Sequence, residues 1–195
     1  MRTNITIPRT LIAALVLAGY AMTVPAAQAT PTLRAAAASQ RADADQVALL
    51  KRSLSEWNQW RTDNPDIKPD LTGADLTEAN LLEANLSGAD LTEANLVDAN
   101  LTDANLTDAN LTSARLERAI LIGANLTNAN ALSANLEGAN LSNGNLRHAV
   151  LASANLTRAN IHDADLTEAN LDGANLTDTD LSCRNHPVCV SSSAG

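Results

Sequence analysis

The sequence contains no phenylalanine, one tyrosine and two tryptophans among its 195 residues. Trp57 and Trp60 both precede residue 70, as does the tyrosine, so the chain beyond residue 70 has no aromatic ring to bury. A domain of this length normally fills its interior with large side chains at crystal-like packing density. This absence argues against an ordinary globular core after residue 70 and favours a narrow, elongated solenoid.

Basic side chains are also scarce in this region. Residues 70–180 contain seventeen carboxylates, and residues 70–114 contain nine acidic side chains with no basic one. A protein that holds DNA or RNA by its phosphates needs the opposite sign of charge, so no direct nucleic-acid binding is expected. The only lysines and arginines in residues 70–180 are Arg115, Arg118, Arg147 and Arg158.

Residues 1–29 have the three parts of a secretory signal peptide. Arg2 and Arg9 supply the positive start, residues 11–22 form an apolar stretch, and Ala27-Gln28-Ala29 is a small-residue cleavage site. The alternative is a membrane anchor, but twelve apolar residues fall short of the roughly twenty that span a bilayer. We expect cleavage after Ala29, a secreted or periplasmic protein, and no membrane association afterwards.

Two segments separate the signal peptide from the repetitive part of the chain. Residues 30–43 are rich in alanine and are predicted to be a flexible linker. Residues 44–69 are predicted to be an N-terminal helix, over about 44–62, and a lead-in. The apolar side chains of the predicted helix recur at helical spacing and form a stripe: Val47, Leu50, Leu54 and Trp57. We expect this stripe to cover the end of the repetitive part of the chain.

A five-residue period runs from residue 71 to residue 181. Every fifth position is leucine except Ala131 and Ile161, and most units read Ala-Asn/Asp-Leu-x-x. In a helix, successive leucines would spiral around every face, and in a continuous strand they would alternate between two faces. A chain that turns a corner every five residues removes this conflict, because Ala and Leu then both point inward while the residue between them points outward.

These units resemble the A(D/N)LXX motif of the pentapeptide repeat family. Examples are "ADLTE" at residues 89–93, "ANLTD" at 99–103 and "ANLTR" at 154–158. The resemblance implies that residues 70–182 form a right-handed quadrilateral β-helix with four units per coil. The expected fold class is therefore an all-β solenoid of about six coils with an N-terminal α-helix cap.

The C-terminal tail, residues 183–195, contains the only two cysteines, Cys183 and Cys189. In an exported protein, two cysteines that close a short loop are expected to form a disulfide. The competing interpretation is a metal site that also includes His186. Three ligands without paired Cys-x-x-Cys or His-x-x-x-His halves make a poor structural zinc site, so we expect the disulfide and no metal.

The rest of the surface offers no residues for catalysis. The three histidines, at positions 148, 162 and 186, fall in different columns of the expected coil, and no nucleophile accompanies them. No glycine-rich phosphate loop is present either. The sequence therefore predicts a protein that is not an enzyme and uses no cofactor.

The repeat departs from its rule in one region, and this region is the candidate contact surface for a protein partner. The apolar side chains that replace the usual polar residues of the repeat are expected to point outward on two opposite sides of the coil, with arginines around them. The alternative is sequence drift in a tolerant scaffold. The candidate residues are Arg115, Arg118, Ile120, Ile122, Leu132, Arg147 and Val150.

Three classes of function fit the sequence. The first is a non-catalytic extracytoplasmic scaffold, structural or protein-binding, with an unknown partner and a monomeric state. The second follows from the resemblance: some family members imitate DNA with an acidic rod and bind gyrase or topoisomerase, but a signal peptide would remove this chain from gyrase. The third is ice or polysaccharide binding by the column Thr72, Thr92 and Thr112, which is short and interrupted at Leu132.

Overall fold

The structure, a computed structural model, describes residues 42–189. The expected signal peptide, residues 30–41 of the expected linker and the last six residues of the tail lie outside the described residues. From Ala42 onward the chain forms two short helices and then a repetitive coil.

Helix α1 spans Ala44–Arg52 and helix α2 spans Leu54–Asp63. The prediction of one helix over 44–62 is wrong, because Ser53 adopts an extended conformation between the two. The Ser53 side chain accepts a hydrogen bond from the Glu56 backbone N–H at 3.2 Å and so caps α2. Serine followed three residues later by glutamate is the capping-box spacing, a helix-start signal that lies inside the apolar stripe.

The apolar stripe of the two helices packs onto the coil. Leu50 and Trp57 are buried, and Val47 and Leu54 are half-buried against the same core. The Trp57 indole N–H also donates a hydrogen bond to the Asn85 carbonyl at 2.9 Å. Neither helix, nor any other in residues 42–189, has the length and apolar character needed to cross a membrane.

The coil repeats every twenty residues. Parallel bridges join residues twenty apart, from Asp70 and Asp90 to Asn160 and Asp180. Each bridge is a single residue long, and residues 42–189 contain no strand of two or more residues. The backbone hydrogen bonds run between coils: Leu71 N–H donates to the Asp90 carbonyl at 2.8 Å, and Asp90 N–H donates to the Pro69 carbonyl at 2.8 Å.

Four five-residue units make each twenty-residue coil, and equivalent units of successive coils form four sides. Side 1 contains units 69–73, 89–93, 109–113, 129–133, 149–153 and 169–173. Side 2 starts at unit 74–78, side 3 at 79–83 and side 4 at 84–88, and each recurs every twenty residues. Sides 1 and 3 are therefore half a coil apart.

A tight turn ends each unit. The Ala74 N–H donates to the Leu71 carbonyl at 3.0 Å, and the same bond recurs along the coil. The second residue after each inward position from 71 to 176 has a positive φ, as in Glu78 at 55° and His148 at 58°. This left-handed conformation is unfavourable for β-branched side chains. No valine, isoleucine or threonine stands at this position from residue 73 to residue 178.

Ser133 tests this constraint on the turn, because it is exposed and has a φ of 56°. We expect Ser133→Val to lower the free energy of unfolding by about 1–2 kcal/mol, since a β-branched side chain is strained in this conformation. Ser133→Gly is the control and should lose little, because glycine adopts positive φ without strain. Urea denaturation measures both variants, and equal losses would contradict the turn assignment.

The core consists of the inward leucine and alanine side chains. The leucine positions from Leu71 to Leu166 are fully buried, including Ala131 and Ile161 in place of leucine. Towards the C-terminal end, Leu171, Leu176 and Leu181 are only half-buried. Each coil buries its apolar side chains against its neighbours, so stability comes from stacking and the two ends are the weak points.

The repeat ends with a change of register. Arg184 bridges Asp165, which is nineteen residues away instead of twenty. The residue before the bridging position is the inward one, so Cys183 takes the place of alanine and is buried. The bridging pattern therefore continues past residue 182, where the sequence predicted the repeat to end, and includes Arg184.

Candidate functional site

The outward Asn and Asp residues bond to their own chain. In each regular unit the side-chain Oδ1 accepts the N–H of the residue two positions later, as Asp90 does from Thr92 at 3.0 Å. The Thr92 hydroxyl donates to the same oxygen at 2.6 Å, and Asn110 of the next coil donates to that hydroxyl at 2.7 Å. Side chains of this type stabilise turns by such local bonds. The polar surface is thus largely satisfied by the protein itself.

The threonine column of side 1 shares these bonds. A hydroxyl has one proton to donate, and the protons of Thr92 and Thr112 both go to the preceding Asp90 and Asn110 side chains. Both hydroxyls also accept an amide N–H from the next coil. An ice- or polysaccharide-binding face would need hydroxyl protons available to the ligand. The geometry of Thr92 and Thr112 therefore argues against this alternative function.

The three arginines of the candidate contact surface pair with carboxylates of the same chain. Arg118 on side 2 makes two bonds to Asp98, at 2.8 and 2.5 Å, as its column position predicts. The other two pairs are Arg115 with Glu117 at 3.2 Å and Arg147 with Asp165 at 3.4 Å. Exposed pairs of this type contribute little to stability, because water and salt screen them. These arginines are therefore already engaged, on sides 2 and 4.

Asp165 connects the coil to the C-terminal segment. The hydroxyl of Thr167 donates to it at 2.6 Å, and Asn185 donates from the tail at 3.1 Å. These donors, with Arg147, hold the pKa of Asp165 well below its usual range, the Thr167 hydroxyl having the largest effect. A depressed carboxyl pKa gives stability that is present above the ordinary value and lost only as the pH falls through the lowered one. The connection therefore persists in mildly acidic solution.

The apolar residues of the candidate surface lie on two sides, half a coil apart. Ile120 and Ile122 are on side 3, and Leu132 and Val150 are on side 1. Ile120 and Leu132 are each 40% exposed, while Ile122 and Val150 are half-buried. The structure therefore distributes the seven candidate residues over all four sides and does not gather them into one surface.

Leu82 is an exposed apolar residue that the sequence analysis missed. It is 41% exposed and lies on side 3, in the same column as Ile122. Its unit, "ANLLE", obeys the repeat rule because the residue after the inward leucine is unrestricted. The column position, two coils before Ile122, was the only signal that could have pointed to it. We call Leu82, Ile120 and Ile122 the side-3 group.

The apolar departures cost the fold hydrogen bonds. An Asn or Asp at position 120 would accept the N–H of Ile122, as the equivalent Asn140 accepts that of Ser142 at 3.1 Å. With Ile120 in place, the Ile122 N–H makes no hydrogen bond within residues 42–189. The Ala152 N–H, two residues after Val150, likewise has no partner there. These substitutions therefore weaken the local turn and leave apolar surface in contact with solvent.

The two cysteines meet at the C-terminal end of the coil. The Cys183 and Cys189 Sγ atoms are 2.09 Å apart, at bonding distance, and Cys183 is buried. Sulfur atoms that are bonded to each other are not available as thiolate ligands. The His186 side chain accepts the Val188 N–H at 3.2 Å. Residues 42–189 contain no group of three or more metal-ligating side chains placed to hold an ion.

The disulfide should contribute to stability without being essential for folding. Replacing both Cys183 and Cys189 by serine is expected to lower the free energy of unfolding by about 2 kcal/mol, because the bond closes a short loop. Mass spectrometry of the protein purified from its native host should show a two-hydrogen deficit that disappears on reduction. Two free thiols, or stoichiometric zinc that survives dialysis and is lost in Cys183→Ser, would contradict this pairing.

A model of pentapeptide repeats matches the chain over residues 70–108, 109–147 and 145–182, with eight copies. Comparison with curated protein sequences gives no match.

Three solved structures are similar to this chain: two are described as pentapeptide repeat proteins and one as a fluoroquinolone resistance protein. HetL of Nostoc sp. strain PCC 7120, involved in heterocyst differentiation regulation, is 36% identical over 59% of this chain and 60% of its own, with a TM-score of 0.34. This chain thus spans less than two thirds of HetL. Rfr23 of Cyanothece 51142 is 32% identical over 66% of this chain and 97% of its own, with a TM-score of 0.41. Full-length QnrB1, a plasmid-mediated fluoroquinolone resistance protein, is 15% identical over 62% of this chain and 84% of its own, with a TM-score of 0.23.

Proposed function

The chain belongs to the pentapeptide repeat family, whose members form right-handed β-helices, and on this premise we propose that it is a non-catalytic extracytoplasmic scaffold that binds a protein partner. The binding surface is a side of the coil, where the regular polar pattern is replaced by exposed apolar side chains. The protein supplies shape and contact area, and no chemical step.

In this proposal the scaffold is a quadrilateral β-helix of about six coils, with α1 and α2 as its N-terminal cap. The twenty-residue spacing of the bridges supports four units per coil. Hydrogen bonds from the helices to the first coil support the cap. Lys51 donates to the Asp75 carbonyl at 3.0 Å, and Gln46 accepts the Asp70 N–H at 2.9 Å. In interior coils, such backbone groups bond to the coil on either side.

Export is supported by two features at opposite ends of the chain. Residues 1–29 carry the charge, apolar stretch and small-residue site of a secretory signal peptide. Cys183 and Cys189 lie at disulfide distance, and disulfides persist mainly in oxidising compartments outside the cytoplasm. Both features are consistent with a mature chain that starts at or near Thr30.

The observation that carries the proposal is the exposure of Ile120 and Leu132, which are each 40% exposed. All other residues in the Ile120 column are Asn or Asp, and Leu132 follows three threonines in its own column. Ile120 also removes a hydrogen-bond acceptor from its turn, so it does not improve the stability of the coil. Local rules that are broken without a gain in stability indicate a functional surface. Exposed apolar side chains are what the core of a protein interface buries.

The proposal assigns no catalytic role to the histidines of the coil, which lie beside carboxylates. His148 pairs with Glu168 at 3.1 Å and His162 lies 3.3 Å from Asp163. Among the described residues, the side-chain contacts of these two imidazoles are with carboxylates and not with a hydroxyl or thiol. A nucleophile must contact its base, so the usual arrangement for nucleophilic catalysis is not assembled at either histidine.

The distribution of carboxylates disfavours imitation of DNA. The acidic side chains that follow the leucines in the first two coils are spread over all four sides, so no single side carries two continuous rows of negative charge as a duplex does. These residues are Glu78, Glu83, Glu93, Asp98, Asp103 and Asp108.

Site-specific photo-cross-linking in the native host tests protein binding. A photoreactive residue placed at Ile120 or Leu132 should give adducts with a protein of the extracytoplasmic fraction. The same residue at Asn143, an exposed turn position of regular type, is the control and should give none. Absence of adducts at both apolar positions, or equal adducts at Asn143, would contradict the proposed function.

A further inference from the structure

The side-3 group forms a short apolar strip along the coil. Leu82 and Ile122 share a column two coils apart, a separation of about 10 Å at the usual strand spacing. Ile120 lies in the same unit as Ile122, two residues before it. Leu82 and Ile120 are two of the large apolar side chains that the described chain exposes most, at 41% and 40%. Leu82 and Ile120 thus face solvent and Ile122 is half-buried on one side within three coils, with Asn100 and Thr102 in the coil between them.

The N-terminal helices leave the start of this strip uncovered. On side 3 of the first coil, Ala79 is half-buried, whereas the equivalent Ala74 and Ala84 on sides 2 and 4 are buried. The backbone N–H and carbonyl of Asn80 and the carbonyl of Leu82 make no hydrogen bond to any residue in 42–189. An extended segment could therefore pair with this edge while it contacts Leu82.

Carboxylates border the strip at both corners. Glu78 and Asp98 lie on the corner with side 2, and Glu83 and Asp103 lie on the corner with side 4. Of these four, only Asp98 forms an ion pair within the described chain, with Arg118. All four are exposed. Leu82 and the Thr102 of the next coil are therefore bordered by carboxylates at both corners, whereas Ile120 and Ile122 are bordered by Arg118, which pairs with Asp98, and by Gly123.

The other apolar pair has a different border. Leu132 and Val150 on side 1 lie beside the corner formed by Ser113, Ser133 and Ser153, which carries no charge. Side 1 could bury apolar surface but could not select a partner by charge at that corner. The opposite corner of side 1 carries Asn128 and His148 beside these residues, with Asp108 and Glu168 in the adjoining coils. What distinguishes side 3 is a carboxylate at both corners in each of its first two coils.

We infer that the side-3 group is the docking surface for a protein segment that carries apolar side chains between lysines or arginines. This inference rests on the proposed function and adds the surface and the chemistry of its partner. The apolar side chains of the segment contact Leu82, Ile120 and Ile122, and its basic side chains pair with the carboxylates at the corners. Complementary charge of this kind steers association and excludes wrong partners.

The test uses a labelled synthetic peptide with a Leu-Ile-Leu centre flanked by lysines, and a second peptide with glutamates in place of the lysines. Fluorescence anisotropy with the purified exported protein should show binding of the lysine peptide and not of the glutamate peptide. Ile120→Asn should weaken the binding about tenfold, because it removes the more exposed of the two apolar contacts in the third coil. Val150→Asn is the matched control on side 1 and should leave the affinity within about twofold.

Ile120→Asn and Val150→Asn each restore the asparagine of the repeat and leave the net charge unchanged. Non-specific attraction between the acidic protein and the basic peptide is therefore the same in both variants. The double variant Glu83→Gln, Asp103→Asn should weaken binding and flatten its dependence on salt concentration.

Three results would overturn the inference: equal binding of the two peptides, equal weakening by Ile120→Asn and Val150→Asn, or no binding of the lysine peptide. A dimer of the chain, seen by sedimentation and dissociated by Ile120→Asn but not by Val150→Asn, would overturn it as well. Photo-adducts at Leu132 together with no peptide binding would leave the proposed function standing and exclude only side 3. Absence of adducts at every apolar position would contradict the proposed function itself.

Discussion

Leu126→Asp is expected to lower the free energy of unfolding by at least about 3 kcal/mol, the cost of a carboxylate without a partner in an apolar interior. Leu126 is only 1% exposed and lies in the middle of the coil, where its neighbours are inward leucine and alanine side chains. Each coil is stabilised by the coils on either side, so the damage should spread to both. Thermal and urea denaturation followed by circular dichroism measure the loss.

Ser133→Asp is the matched control, because it introduces the same side chain at an outward turn position. Ser133 belongs to the unit that follows the Leu126 unit, two residues after the inward Ala131. Ser133 is exposed with a φ of 56°, and aspartate already occupies the equivalent turn position at residues 98 and 103. Ser113 and Ser153, its column neighbours, carry no charge that would repel it. The expected change is within about 0.5 kcal/mol. Similar melting temperatures for the two variants would show that the inward and outward assignment is wrong.

The second large effect is expected at the N-terminal end of the coil. Trp57→Ala should lower the free energy of unfolding by about 3–5 kcal/mol, as for other buried aromatic residues. Trp57 is fully buried over the first coil, and its indole N–H donates to the Asn85 carbonyl at 2.9 Å. The variant loses both the packing and the bond, and it exposes the end of the core.

Trp60→Ala is the control for Trp57→Ala. The Trp60 ring lies 5.2 Å from that of Trp57 and is half-buried, so its removal should cost clearly less. Guanidinium denaturation of both variants gives the comparison. Equal losses would mean that α2 stabilises the coil through general coverage, and not through Trp57 as the residue that closes the core.

The interior of the coil could be predicted from the sequence, because a strict period leaves one arrangement of inward and outward residues. The column positions follow from the same period, and two pairs of residues twenty apart do bond between coils, Asp98 with Arg118 and Asp108 with Asn128. The change of register at Arg184 could not be predicted, since the sequence after Leu181 no longer contains the repeat.

The helical segment shows how one pattern can hide another. The apolar stripe continues from Leu50 to Trp57, so periodicity alone predicts an unbroken helix. The Ser53 side chain instead caps a new helix, because its bond to the Glu56 N–H compensates for the break. Long-range packing of the apolar stripe and the local capping signal are both satisfied by two helices.

The candidate surface was the least predictable part. Departures from the repeat identify Ile120 and Val150, but exposure also depends on the neighbouring coils, and only Ile120 of the two is among the most exposed. Leu82 obeys the repeat rule and became visible only because α1 and α2 leave its side of the first coil open. A five-residue pattern contains no information about which side the ends leave uncovered.

The proposal that the chain acts as an extracytoplasmic scaffold is tested most directly by the N-terminus and compartment of the protein in its native host. Cell fractionation followed by mass spectrometry of the N-terminal peptide is expected to find the protein outside the cytoplasm, with an N-terminus at or near Thr30. Full-length protein that begins at Met1 and is recovered from the cytosol together with gyrase would contradict the proposal, and it would favour the acidic DNA-imitation alternative.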